Sequence, residues 1–166
     1  LPIYAYMTKD GRVWGSYLHG IFDNEDLEFA LVQDIMKEKG IDEFLEAAKQ
    51  IKKKYPQARF HIAGFFEDEY EKVIEDYAKR KIIYYHGMLS DVRNLLSKTH
   101  CTILPSYHEG MSNVLLESAA SGRPILASNV HGCKETFDDE NSGYSFEPRN
   151  TKSLVAAIER FLALSH

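Results

Sequence analysis

From about residue 41 onward, the apolar positions alternate between helical stripes and short unbroken runs, the pattern of a parallel sheet covered by helices. IDEFLEAAKQIKKKY puts Ile41, Phe44, Leu45, Ala48 and Ile51 on one stripe with lysines opposite, which predicts a helix over 41–55. ARFHIAGF reads as a strand ended by Gly64. EDEYEKVIEDYAKRK then reads as a helix with acids early and bases late, the order its dipole favours. KIIYYHG is the next strand, SDVRNLLSKTH a helix capped at Ser90, and CTILP a buried strand closed by Pro105. SYHEGMSNVLLESAASG leads from that strand into a helix of about ten residues that starts near Ser112 and ends at Gly122. RPILASN follows as a strand. A loop-rich stretch with a short strand near 144–146 leads to a last amphipathic helix in TKSLVAAIERFLAL.

The first forty residues follow another style. LPIYAYMTKDGRVWGSYLHG predicts two antiparallel strands joined at a Lys-Asp-Gly turn. In NEDLEFALVQDIMKEKG, Leu27, Leu31 and Ile35 recur four apart, which favours a helix over 24–39. The rival reading is a strand over 28–33. The expected architecture is one Rossmann-like α/β domain over residues 1–166. It is a three-layer αβα sandwich with a mostly parallel sheet and an antiparallel N-terminal hairpin, with 1–34 atypical and 35–166 forming the regular part.

Composition narrows what such a domain can bind. Twenty basic residues against 25 acidic ones give a net charge of −5, which excludes a general attraction to nucleic acid or anionic membrane. Any phosphate must therefore be held locally. No apolar run reaches the length of a membrane helix and no signal-peptide pattern opens the chain, so the expectation is a cytoplasmic protein. Cys101 and Cys133 lack metal spacing and read as buried thiols.

In a doubly wound sheet, ligands bind beyond the carboxyl ends of the strands, so the loops after residues 65, 85, 105 and 129 are expected to share one rim. Glu109 and Glu117 bracket the start of the helix near Ser112, with Gly110, Met111, Ser112 and Asn113 between them. Glycine admits a close ligand, and the amides of a helix start suit a diphosphate. Carboxylates accept from sugar hydroxyls in pairs. Taken alone, the same spacing also fits a solvated helix cap.

The string LPSYHEGMSNVLLESAASGRPILASNVHGCKETFDDENSGYSFEP resembles the donor-binding signature of the retaining, GT-B group 1 (family 4) glycosyltransferases. IMKEKGIDEFLEAAKQIKKKYPQARFHIAGF and YYHGMLSDVRNLLSKTHC resemble the same family in the same order, so the resemblance spans about 35–166. It implies the C-terminal half of such an enzyme, which grips a UDP-, GDP- or ADP-linked sugar while a separate half supplies the acceptor. Glu109 would then be the catalytic-site acid on the donor sugar. Residues 110–113 would line the sugar and diphosphate, and Glu117 would hold the ribose. Lys39 would grip phosphate, and Gly87, Met88 and Leu89 would lie against the base. Neither a metal nor another cofactor is implied, because cations and helix dipoles stabilise the leaving diphosphate.

Two departures bear on activity. The family carries a Gly-Arg pair five residues before its lysine, where this chain has Gln33 and Asp34, so a cation has become an anion. The acceptor half is not among these 166 residues, which predicts a domain inactive by itself unless a second chain restores transfer. If 24–39 is helical, the family's first strand must also come from elsewhere, such as 13–18. DGRVWGSYLHGIFDNEDLEFAL resembles the end of the glutamine amidotransferase-like domain of cobyric acid synthases, with His19 in the place of the histidine that partners a cysteine there. No cysteine here has that context, so His19 has nothing to activate. Two resemblances in one domain raise the alternative of an engineered chimera, an α/β scaffold in which a flavodoxin-like fragment completes the sheet without retained activity. His61, His86, His108 and His131 lie on different segments and read as satisfied or exposed. Trp14 and Tyr17 read as packing, and an unpaired edge near 3–18 could support a homodimer.

Overall fold

The computed structural model describes residues 5–7, 13–15, 27–33 and 37–164. Two short strands, β1 (Ala5–Met7) and β2 (Val13–Gly15), pair antiparallel in register Ala5 with Gly15 and Met7 with Val13, the expected hairpin. The main sheet holds β3 (Leu27–Val32), β4 (Ala58–Ala63), β5 (Ile83–Tyr85), β6 (Cys101–Leu104), β7 (Ile125–Ser128) and β8 (Gly143–Phe146). Its strands run parallel in the order β5-β4-β3-β6-β7-β8. The expected Rossmann-like α/β fold is therefore present.

Residues 27–32 overturn the helix expected over 24–39, because β3 is a central strand of the sheet. The four-residue spacing of Leu27, Leu31 and Ile35 was misleading. A strand between two parallel neighbours must be apolar on both faces, and the unbroken run Phe29, Ala30, Leu31 and Val32 supplies that. Phe29, Ala30 and Leu31 are fully buried. Residues 13–18 are not needed as a substitute, since Val13–Gly15 belongs to the separate hairpin. Among the described residues of the expected helix, only 37–39 are helical, as a single 3-10 turn.

Alternation along the strands sends their side chains to two layers. Phe29 and Leu31 of β3 join Phe60 and Ile62 of β4 in the larger core. That core is covered by α1 (Ile41–Lys54), α2 (Glu71–Lys79) and α6 (Thr151–Ala163). Phe29 stacks on Phe60 with centroids 5.0 Å apart, and Phe161 and Phe44 close on the pair edge-on. Ala30, Ala63 and Leu104 face the other way, toward α3 (Arg93–Leu96), α4 (Asn113–Ala120) and α5 (His131–Lys134). The stretch read as loop-rich thus contains one short helix, α5. Among the described residues, no helix is long and apolar enough to cross a membrane.

The turn into α1 fixes the spacing between the ends of β3 and β6. Gly40 holds a left-handed φ of 72°, and a Cβ there would lie 2.1 Å from the Pro105 carbonyl oxygen. Only glycine admits both the conformation and the approach. Gly40→Ala should therefore cost about 2–4 kcal/mol of stability, read as a lower urea midpoint at constant slope. An unchanged midpoint would show that the turn relaxes freely.

Candidate functional site

β3 and β6 are neighbours, but the chain leaves them toward opposite faces, to α1 after β3 and to α4 after β6. That divergence opens a crevice beyond their carboxyl ends, where ligands of such sheets bind. The first polar residues after each strand meet there. The Lys39 Nζ donates to Glu109 Oε1 at 2.6 Å, with side chains 28% and 16% exposed. Ser106 Oγ lies 2.8 Å from the same carboxylate oxygen and 3.0 Å from Gln33 Oε1. Gln33 Nε2 donates to the Lys39 carbonyl at 2.6 Å, and the Gln33 amide donates to Ala63 O at 3.0 Å. Four side chains from two strand ends thus form one polar network.

Tyr107 ties this network to α1. Its amide donates to Glu38 O at 3.0 Å and its hydroxyl to both Glu43 oxygens at 2.9 and 2.7 Å. The Arg149 guanidinium lies 4.6 Å from the ring centroid. Burial first, and the Glu43 carboxylate second, hold its phenol well above the usual range. Tyr107 therefore stays a neutral donor. Beneath the loop after β6, Gly132 lets α5 approach, since a Cβ there would come within 1.9 Å of Gly110 O. Cys133 follows it, and burial, then the nearby Glu109 charge, push its thiol up to about 12. Cys101 is fully buried in β6, where desolvation raises its thiol as well.

The start of α4 is open to solvent. Gly110, Met111 and Asn113 are exposed, and a Cβ on Gly110 would meet nothing within 4 Å. Ser112 is buried as the N-cap, its side chain accepting from Leu115 N at 3.4 Å. Glu117 stands exposed in the second turn of α4, close enough to Arg93 to favour its charge. Gly87, with φ 68°, follows β5 and accepts from the Gly64 amide at 2.9 Å, so the loops after β4 and β5 are joined. Phe65 and Met88 project from those loops, 62% and 54% exposed.

Lys39 and Glu109 are therefore brought into direct contact, with residues 110–113 beside them at the helix start. Gly87 and Met88 lie farther along the same rim, at the end of the edge strand β5. The sequence reading missed Ser106 and Tyr107, and met Gln33 only as a departure from a motif. Their signal was position, since each is among the first polar side chains after a buried strand. Asp34, His19 and Tyr17 lie outside the described residues. Of the scattered histidines, two meet on the far side of β4. His61 Nδ1 lies 2.9 Å from His86 Nε2, and burial leads in lowering both pKa values. Among the described residues, no three histidine, cysteine or acidic side chains are grouped to hold a metal.

A sequence profile described as "Glycosyl transferases group 1" matches residues 20–165. An N,N'-diacetylbacillosaminyl-diphospho-undecaprenol alpha-1,3-N-acetylgalactosaminyltransferase of Campylobacter jejuni is 31% identical over 161 residues, covering 97% of this chain and 41% of the relative. The alpha-D-kanosaminyltransferase of Streptomyces kanamyceticus is 29% identical, covering 77% of this chain and 34% of that protein. The chain therefore spans well under half the length of these relatives. The C-terminal domain of a group 1 glycosyl transferase from Francisella tularensis superposes with TM-score 0.73 at 20% identity, over 97% of this chain and 85% of that one. Anabaena HepE in complex with UDP-glucose superposes with TM-score 0.72 at 18% identity, over 82% of this chain and 39% of that one. Both likenesses concern the fold.

Gly132→Ala should push the 109–110 backbone outward, at a cost of about 1–3 kcal/mol. Amide shift changes should concentrate at Glu109, Gly110 and Lys39. Shifts confined to α5 would show that the helix yields instead.

Proposed function

The chain belongs to the group 1 glycosyl transferases, and we propose on that premise that it forms the nucleotide-diphosphate-sugar-binding half of a retaining enzyme. The observation that carries this reading is the meeting of Lys39 and Glu109 at 2.6 Å, beside the solvent-open start of α4 and at the divergence of β3 and β6. A cation, a carboxylate and a row of helix-start amides converge there. Those are the groups that a sugar-linked pyrophosphate requires.

In this reading Lys39 and the amides of residues 110–113 hold the diphosphate. A helix start leaves N–H groups without intrahelical partners and carries partial positive charge. Glu109 accepts from hydroxyls of the donor sugar, and Glu117 accepts from the ribose. Gly87 and Met88 lie against the base, Gly87 without a side chain to keep it away. With a net charge of −5, attraction must come from these local groups and not from the general field. In the transition state the same donors meet the charge growing on the departing diphosphate, which lowers the barrier without a metal ion. The acceptor enters on the sugar's front face, from a second domain. Residues 1–166 supply the donor side of the reaction and catalyse little transfer without that partner face.

Calorimetric titration with UDP, GDP and ADP and with their glucose conjugates tests the assignment. Lys39→Ala should weaken the best-bound member about tenfold or more, the loss of one charge-assisted contact. Glu117→Ala should weaken nucleotides while leaving inorganic pyrophosphate unchanged. Wild-type affinity in both variants would remove the site from this crevice.

A further inference from the structure

We propose that the Lys39–Glu109 pair is a specificity device that favours a diphosphate carrying a sugar over the bare nucleoside diphosphate, and so helps expel the spent donor. The inference rests on the donor-binding reading above and adds a role that a sugar contact alone does not give Glu109. Lys39 Nζ sits 2.6 Å from Glu109 Oε1 in the ligand-free domain, so each of these charges already has its partner. The Lys39 ammonium has three N–H donors, so a diphosphate either shares this cation with Glu109 or draws it away, and in both cases Glu109 loses part of its charge compensation. Whatever takes Lys39 must leave the Glu109 carboxylate either resatisfied or stranded.

The surroundings make a stranded carboxylate costly. Glu109 is only 16% exposed, and its Oε1 also receives a contact from Ser106 Oγ at 2.8 Å. The Ser106 hydroxyl has one proton and two candidate acceptors, Glu109 Oε1 and Gln33 Oε1 at 3.0 Å. The side-chain Nε2 of Gln33 donates to the Lys39 carbonyl at 2.6 Å, which fixes Oε1 toward Ser106. Ser106 can thus turn to Gln33 when Glu109 finds other donors, but it cannot replace a lost cation. The loop cannot retreat toward α5, because Gly132 packs against the Glu109 and Gly110 carbonyls.

Two ligands then behave differently. A bare diphosphate takes the Lys39 charge and lies as an anion beside an unpaired anion, and like charges at close range repel. A diphosphate sugar brings the same anion together with hydroxyls that donate to Glu109, so both members of the broken pair are satisfied. Once the sugar is transferred, the remaining diphosphate faces the unpaired carboxylate again. Re-forming the Lys39–Glu109 contact then displaces it.

The test compares affinities for UDP, GDP and ADP with those for UDP-glucose, GDP-glucose and ADP-glucose, in wild type, E109Q, E109A and K39A, with folding checked by thermal melts. Removing the Glu109 charge should tighten the bare diphosphate by about threefold or more and weaken its glucose conjugate by a similar factor, while K39A weakens both. E109A provides a second removal of the charge should E109Q melt early. If E109Q and E109A shift both ligands in the same direction, or leave the bare diphosphate unchanged while K39A weakens it, the device is refuted and the donor site stands. If no member of the panel binds wild type or either Glu109 variant, the donor site falls and this inference with it. Binding of a bare diphosphate only after the Glu109 charge is removed supports the inference.

Discussion

The domain is organised around two parallel strands that lie side by side and send their chains to opposite faces. β3 feeds α1 on one side of the sheet and β6 feeds α4 on the other, so the two chain paths diverge beyond the strand ends. Every polar group in the candidate site is there because of that divergence. Gln33 and Lys39 come from the β3 end, and Ser106 and Glu109 from the β6 end. The parallel pairing of Phe29 with Cys101 and Ala30 with Thr102 sets their height, and the apolar run through β3 makes that pairing worth burying.

Two glycines set the width of the crevice. Gly40 lets the turn into α1 lie against Pro105, and Gly132 lets α5 lie beneath the loop that carries Glu109. Packed contacts of this kind do not deform gradually, because interiors are close-packed and an added methyl must displace backbone. The Lys39–Glu109 separation is therefore held by backbone contacts on both flanks as well as by its own charge attraction. Tyr107 adds a third restraint, linking the β6 loop to Glu38 and Glu43.

Much of this was legible in the sequence, for reasons that differ by element. Helices α1 and α6 announced themselves because their apolar stripes repeat over three or more turns, too often to arise from a strand. The cap at Ser112 and the stop at Gly122 were readable because each needs a particular side chain or conformation. β3 was not, since six residues carry too few periods to separate a helix from a strand, and its assignment depends on pairing with β4 and β6, both distant in the sequence. The candidate acids and Lys39 were legible as a motif, but their mutual pairing was not. Neither Ser106 nor Tyr107 has a distinctive local pattern, and both acquire their role from the fold. The meeting of His61 with His86 across β4 and β5 is of the same kind.

The central claim is that the amides opening α4, together with Lys39, receive the diphosphate of a nucleotide sugar. Amide chemical-shift mapping of the isotope-labelled chain, titrated with glucose conjugates of UDP, GDP and ADP, tests it most directly. The account predicts saturable shifts at Gly110, Met111, Ser112, Asn113 and Lys39, while the amides around His61 and His86 stay still. Shifts that avoid the start of α4, or a spectrum that moves only at the His61 edge, would contradict it.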